Sequence, residues 1–554
     1  SWSFGAFAVA CTLCAIVMAL RTTSVSPEAA ANDAAPALDP QPLTLDHPAQ
    51  PPDATPDVAP SGGQIGLWFA LAAVPSVMLL ATTSQVCTDI AVVPFLWVLP
   101  LSLYLLTFIL CFDSDRWYQR KLFGTSLMFF VAGTLLLLWD AAMSWRLVTS
   151  IAIQAATYFG LLFCACMVCH GELVRLKPHP KYLTLFYLSM SAGGALGGIF
   201  VAIIAPVLFS TLFELPIGIV ATCLLLMAVI FRDKSSSMYG GRRSGLWAAM
   251  VVVVLALGWS LNAHAGRVTR DAVAIARNFY GILRVDGFNQ SFVLKHGSIR
   301  HGHQFRDPER RHLPTTYYGR ASGAGLAMDQ HHAGEARHFG VIGLGAGTLA
   351  VYAKPDDRVR MYEINPAVVA MADAFFTYLS ECEGKCEVVT ADGRIALETE
   401  SPQEFDVLVL DAFSGDAIPT HLLTKECFEL YLKHLKPDGV LAFHITNRHV
   451  NLRPVCKGLA DEFGLAAKCT YARQDRDLGT QDTMWVLMSR DEAALNAIQL
   501  GQTLEIAMGE ESILWTDHWS NLWSVIDRDP PFEIINGGDD ESSRSQINSS
   551  RVDE

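Results

Sequence analysis

The sequence predicts a multi-pass α-helical membrane domain, then an α/β Rossmann-like, doubly wound domain with a small β subdomain at its N-terminal side. Three observations carry this. Apolar runs close to the ~20 residues that cross a bilayer recur up to about residue 262. Short alternating segments follow over 278–305, as in a small antiparallel sheet. From 338 the pattern becomes strand–helix–strand.

Composition divides in the same place. Hydrophobic residues make up 51% of the 554 residues and charged residues 17%, but the apolar ones crowd the first half. Residues 4–20 (FGAFAVACTLCAIVMAL) suit a spanning helix better than a signal peptide, because neither a basic leader nor a cleavage site accompanies them. The chain opens at Ser1 rather than Met, so the expectation is that upstream residues are either missing from it or processed away. Residues 22–63, rich in Pro, Ala and Asp, read as a solvated linker. Further apolar runs fall near 64–82, 92–112, 122–139, 147–168, 183–207, 211–231 and 246–262, which makes about eight membrane helices between 1–21 and 64–262. A lipid bilayer is therefore the first expected partner.

Loops 113–121, 170–182 and 232–243 carry the Lys and Arg residues and alternate onto one side, which the positive-inside rule makes cytoplasmic. With eight spans, the C-terminal domain lands on the other side. A nucleotide-type ligand argues instead for the cytoplasm, and the chemistry is weighted more. The net charge of −14 argues against nucleic acid as the main partner, since phosphate binding needs a basic surface.

The soluble part divides into a β subdomain at 263–335, a larger domain at 336–535 and a polar tail at 536–554, expected to be disordered. Strands are expected at 338–342, 358–363, 386–390, 405–410, 438–445, 465–471 and 483–489, forming a parallel sheet with ligands at its carboxyl ends. After the first strand come Gly343, Gly345 and Gly347, in a loop that lets backbone approach a ligand at the start of a following helix. Glu363 ends the second strand, placed to accept from two ribose hydroxyls. Asp392 follows the third, placed to meet an adenine amino group, and Asp411 ends the fourth. Each acid alone reads as a loop or helix cap; together at successive strand ends they indicate an adenosine-containing ligand.

At these residues the chain resembles a known family. The soluble part is similar to the spermidine synthase (aminopropyltransferase) branch of the methyltransferase-type fold. The whole chain is similar to bacterial multi-pass proteins known as membrane-fused spermidine synthases. The segments that carry the resemblance are 82–110, VCHGELVRLKPHP (168–180), PTTYYGRASGAGLA (314–327) and LVLDAFSGDAIPTHLLT (408–424). It implies decarboxylated S-adenosylmethionine or S-adenosylmethionine as donor, a small amine such as putrescine as acceptor, no metal, and the bacterial inner membrane as location. Asp411 matches the acid that helps deprotonate the amine and Asp416 the one that holds it. Gln304 and one of Tyr317 and Tyr318 match positions lining the donor and amine pockets. The chain departs from the family twice. The loop Asp that meets the donor's amine is replaced by Ala346, and the usual Asp pair three apart is stretched to Asp411 and Asp416. An S-adenosylmethionine-dependent methyltransferase, or a polyamine transporter or sensor that binds nucleoside without turnover, stays open.

Other motifs read more plainly. Cys166, Cys169 and His170 (CMVCH) have c-type haem spacing, but the match is short and closes an apolar helix. His170 and Glu172 are expected to pair at the membrane border. His296, His301 and His303 lack a supporting acid for zinc. Cys382 and Cys386 would pair outside the cytoplasm and stay thiols inside it. Polar residues at 81–94, Thr82 to Gln85 and Asp89, break an apolar stretch, either as a short loop or as a broken-helix binding site. Glycines at 191–198 permit close helix packing.

Overall fold

The computed structural model describes residues 59–89, 95–143, 147–148, 150–297, 299–412, 419–447 and 450–525. The expected helix at 4–20, nearly all of the linker, Asp416, and the tail from 536 lie outside them. The chain divides into two compact units, one ending at Val268 and one beginning at Thr269.

The first unit is helical: α1 (Gly62–Asp89), α2 (Phe95–Asp113), α3 (Arg120–Met143), α4 (Ile151–Arg175), α5 (Leu183–Ile199), α6 (Glu214–Arg232) and α7 (Ser244–Val268). α5 runs on through a π-helical turn at Phe200–Ile204 to Leu208. Six of these are long and apolar enough to cross a membrane, and α2 is a shorter apolar helix. All seven apolar runs expected after the linker are therefore helices.

The polar stretch expected to break after residue 81 instead continues α1 to Asp89. Two of its hydroxyls fold back onto the helix, Thr83 donating to the Leu79 carbonyl (2.7 Å) and Thr88 to that of Ser84 (2.9 Å). The α5 glycines work as expected. A Cβ at Gly193 would lie 2.4 Å from the Phe69 carbonyl oxygen, and one at Gly197 2.3 Å from that of Ala73. Only glycine lets α5 seat this closely on α1.

The three basic loops meet at one end of the unit. Arg120 at the start of α3 grips Glu172 of α4 through Nε (2.5 Å) and Nη2 (2.7 Å), and reaches Asp233 after α6 (2.5 Å). The Tyr118 hydroxyl also donates to Glu172 (2.7 Å). The expected His170–Glu172 pair does not form. The two lie on different sides of α4, and His170 Nδ1 faces Thr107 of α2 instead (3.1 Å). Cys166, Cys169 and His170 are all buried in helix packing.

The second unit opens with an antiparallel sheet in order β1-β2-β3-β4: β1 (Ala272–Asn278), β2 (Gly281–Gly287), β3 (Ser291–His296) and β4 (Ile299–Phe305). α8 (Gly323–Gln330), capped by Ser322, leads into the larger sheet. Its elements are β5 (His338–Ile342), β6 (Arg358–Glu363), α9 (Pro366–Phe375), β7 (Lys385–Thr390), α10 (Gly393–Thr399), β8 (Phe405–Leu410), α11 (Lys425–His434) and β9 (Leu435–His444). α12 (Arg453–Phe463), β10 (Ala466–Ala472), β11 (Thr483–Ser489), α13 (Glu492–Ala497) and β12 (Leu504–Ile506) complete it. Strand order is β12-β10-β11-β9-β8-β5-β6-β7.

Five strands, β5 to β9, are parallel, whereas β10, β11 and β12 pair antiparallel. The sheet is thus mixed rather than wholly parallel. The segment between β10 and β11 holds no helix, and a parallel pair needs a crossover of a dozen or more residues. The strand order reverses between β5 and β8, which puts a crevice at their carboxyl ends. Val341, Val409 and Ala442 bury one face of this sheet, and Leu408, Leu410 and Phe443 the other.

Candidate active site

The crevice is built by strand ends. The amide of Gly343 donates to the Tyr362 carbonyl (2.8 Å) and that of Asp411 to the Ile342 carbonyl (2.9 Å), so the exits of β5, β6 and β8 lie side by side. Gly343 sits at φ 100°, and a Cβ there would meet the Asp411 carbonyl oxygen at 2.2 Å. Only glycine fits. Gly345 and Gly347 also have positive φ. A regular helix was expected to follow. Only a 3-10 turn forms, Thr348–Tyr352, because Pro355 cuts the segment short. The loop therefore offers backbone amides without a long helix dipole behind them.

A cavity of about 210 Å3 lies at this point. Gly343, Gly345, Glu363, Asp392, Asp411, Tyr317 and Tyr318 line it, so seven of the expected site residues converge there. Glu363 accepts from the amides of Leu344 (3.1 Å) and Asn365 (2.9 Å), tying β6 to the glycine loop. Burial pushes its carboxyl above the ordinary value. Asp392 caps α10, accepting from the amides of Arg394 (2.9 Å) and Ile395 (3.1 Å). Its other oxygen faces His421 Nε2 at 3.4 Å. The His421 ring, then those amides, hold the Asp392 carboxyl below its usual range. Asp392 is thus both a helix cap and a wall of the cavity.

Asp411 is buried and doubly held. The Tyr318 hydroxyl donates to Oδ2, and His444 Nδ1 lies 2.6 Å from Oδ1. Tyr317 reaches His301 Nδ1 through its hydroxyl (3.3 Å). Burial raises both tyrosine hydroxyls well above their usual range, so they remain donors. The same cause lowers His301 to about 4, leaving it neutral.

Two expected residues lie elsewhere. Gln304 does not line the cavity. Its amide nitrogen donates to the Arg311 carbonyl and to Thr377 Oγ1 (both 3.0 Å), and its oxygen accepts from the Thr377 amide (2.9 Å), locking β4 to the segment after α9. Gly347 also falls outside the cavity wall. Ala346 is fully buried against Gly302 of β4, away from the cavity.

Three wall residues have other signals in the sequence. Asn365 caps α9 before Pro366, and its buried Nδ2 has no partner. His301, which the sequence offers only within a histidine cluster, lines the cavity beside His296. His421 sits in the resembling segment and carries no distinguishing pattern of its own. Among the described residues, His331, His332 and Asp406 are the His and acid group whose ligand atoms lie within 4.8 Å of one another. His332 already bridges Asp406 (2.7 Å) and Asp438 (3.0 Å), and Lys436 Nζ is 2.7 Å from the same Asp406 oxygen. Protein cations meet that carboxylate. Cys382 and Cys386 are bonded to each other, with Cα atoms 6.6 Å apart.

The fold and cavity define an α/β protein with an acid-lined crevice at the carboxyl ends of its parallel strands, and comparison with known proteins narrows the class. No family model matches the chain. It is similar to the polyamine aminopropyltransferase of Vibrio vulnificus, 29% identical over 156 residues that make up 27% of this chain and 50% of the relative. It is also similar to the polyamine aminopropyltransferase of Chromobacterium violaceum, 36% identical over 107 residues, 19% of this chain and 40% of that one. The chain thus spans half the length, or less, of these relatives. Among solved structures it aligns with a probable spermidine synthase from Corynebacterium glutamicum at 21% identity and a TM-score of 0.32, covering 39% of this chain and 79% of that one. The chain is thus similar over part of its length to polyamine aminopropyltransferases, and it also carries a set of membrane-length apolar helices.

Proposed function

We propose that this chain is a membrane-bound transferase that moves a group from an adenosyl sulfonium donor to an amine. The observation that carries the reading is the convergence of Glu363, Asp392 and Asp411 on one cavity beside a glycine loop. Glu363 would hold the ribose hydroxyls, Asp392 the adenine amino group, and the absence of side chains at Gly343 and Gly345 would allow the nucleoside to lie against the backbone. Asn365, with its unmet Nδ2, adds a donor to the same wall.

Asp411 would bind the amine and take its proton. In aminopropyl transfer the amine lone pair attacks the carbon next to sulfur, the carbon–sulfur bond breaks, and sulfur leaves with the electron pair as a neutral thioether. One proton must leave the nitrogen, and a carboxylate at the reacting centre accepts it. The sulfonium already activates the carbon, so positioning supplies much of the remaining catalysis. The tyrosines would orient the amine, with Asp416 as a second acid. Putrescine is the acceptor to try first.

Methyl transfer from intact S-adenosylmethionine is the second reading, and Ala346 favours it. A loop carboxylate would repel the donor's own carboxylate; here the loop presents a methyl group, packed away from the cavity. The purified full chain incubated with putrescine and each donor separates the two by product mass. A propylamine increment supports the first, a methyl increment the second. Asp411→Asn should abolish transfer while sparing donor binding, and unchanged turnover would remove Asp411 as base. Binding of adenosyl compounds with no product from either donor would turn the domain into a sensor.

A further inference from the structure

We propose that His444 is a positioning residue that holds Asp411 as a fixed carboxylate facing the cavity and so sets the pH at which the site works. This rests on the transferase reading. β9 lies beside β8 in parallel register, Leu410 opposite Phe443, so each strand's next residue, Asp411 and His444, emerges at the same level. His444 does not line the donor cavity. It touches the carboxylate from behind and would act through it.

Ring stacking and polar contacts together fix the ring. It stacks between Tyr317 (centroids 4.5 Å apart, 22°) and Trp485 (4.6 Å, 25°). Nδ1 lies 2.6 Å from Asp411 Oδ1, and Nε2 lies 2.7 Å from Thr446 Oγ1. Thr446 Oγ1 accepts from the Met484 amide (2.8 Å), and of the acceptors within reach of its own proton, the Met484 carbonyl and Thr483 Oγ1 (both 3.3 Å) and Nε2 (2.7 Å), the ring nitrogen is the nearest. Nε2 then accepts, and the ring proton sits on Nδ1, aimed at Asp411. With Tyr318 donating to Oδ2, each oxygen of Asp411 receives one donor from the protein. Each keeps a lone pair for a substrate N–H.

Hydrogen bonds to the ionised form favour a carboxylate's charge. Removing one makes the carboxylate protonate at higher pH, and a protonated acid cannot accept the amine's proton. Among the described residues, the other titratable groups facing this pair are Tyr317 and Tyr318 before α8, His301 on β4 and Glu363 on β6. Thr483 and Trp485 of β11 pack on the ring without charge.

The test compares His444→Leu, which keeps bulk between the two aromatic rings, with His444→Gln, whose amide N–H can still donate to Asp411. Both are made in the full-length chain in detergent, with donor and amine. For His444→Leu, the acid limb of kcat/KM moves up by about one pH unit and kcat falls about tenfold or more, while donor affinity stays at the wild-type value. His444→Gln returns the limb to its wild-type position. Should His444→Leu fail to fold, Thr446→Val, which frees the ring proton to change nitrogen, shifts the same limb upward by less. An unmoved limb in the folded variant overturns the inference, as does a limb that Gln fails to restore. An inert wild-type chain sinks the transferase reading itself, whereas an active one with an unmoved limb sinks this inference alone.

Discussion

Gly302 is where the small sheet meets the glycine loop, and Gly302→Ala tests whether that contact shapes the donor site. A Cβ at Gly302 would lie 2.4 Å from the Ala346 Cβ and 3.3 Å from its nitrogen. Carbon atoms in contact settle about 3.5–4.0 Å apart, so the two segments must separate by roughly 1 Å. Neither side can yield by turning a rotamer, because both methyls are fixed to backbone. Overpacking of this kind costs about 1–3 kcal/mol, which for a domain of this size lowers Tm by about 2–4 °C per kcal/mol. The displaced loop carries Gly343 and Gly345, both in the cavity wall, so donor affinity should fall with stability. Ala346→Gly removes the opposing methyl, and the double variant should recover Tm and donor affinity to near wild type, a coupling that a double-mutant cycle reads directly. Gly302→Ala with unchanged Tm and unchanged donor affinity would refute the reasoning. So would a double variant no better than the single one.

Two further outcomes follow from charge. Glu172→Ala strips Arg120 of the partner that fills two of its donors; breaking such a buried pair costs about 3–5 kcal/mol, toward the lower end here because Arg120 is partly exposed, and thermal melting in detergent should show the loss. Glu363, raised by burial, protonates before Asp392, which His421 holds low. Donor affinity should therefore be full at neutral pH and start to fall on acidification above the ordinary glutamate range of about 4.3; Glu363→Gln should bind weakly and lose that pH dependence, and a wild-type-like profile in that variant would place the titration elsewhere.

Much of the second unit is legible from periodicity, and particular residues show where legibility stops. Strands at 338–342, 358–363, 405–410 and 483–489 fall as the apolar runs indicate, because short buried strands bounded by polar turns leave a local signature. Glu363, Asp392 and Asp411 are readable because the parallel topology puts successive strand ends together. The partners of Asp411 are not. His444 and Tyr318 are 33 and 93 residues away, and nothing local to either marks the contact. Gln304 shows the opposite failure: its position matches a pocket residue of the resembling family, but here Thr377 and the Arg311 carbonyl absorb its amide. Ala346 is similar, since only the close approach of Gly302 shows that the loop side chain turns from the cavity.

The helical unit and the chemistry make opposite demands on which side the second unit faces. Loops 114–121, 175–182 and 232–243 carry ten Lys and Arg, while those at 90–94, 144–150 and 209–213 carry Arg146 alone. Arg120, Glu172 and Asp233 bring the first set to one end. α7 leaves from the other: Trp247 near its start packs on Phe231, while Ser260 near its finish accepts from Trp139 (3.1 Å). By the positive-inside rule the second unit then begins outside the cytoplasm, where the Cys382–Cys386 bond would also persist. The transferase reading needs the cytoplasm, where a nucleotide-type donor is found. It therefore predicts that Cys382 and Cys386 are thiols in cells, and that a membrane-impermeant maleimide reaches them only after lysis. The other cysteines of this unit, Cys427, Cys456 and Cys469, are buried, whereas Cys87 of α1 is free and only partly buried, so the label on this pair is read as the difference from a Cys382→Ser, Cys386→Ser chain. A pair found oxidised in intact cells, reachable from outside once reduced, would leave the cavity without its donor, and the domain would have to be read as a sensor of nucleoside-like ligands beyond the membrane.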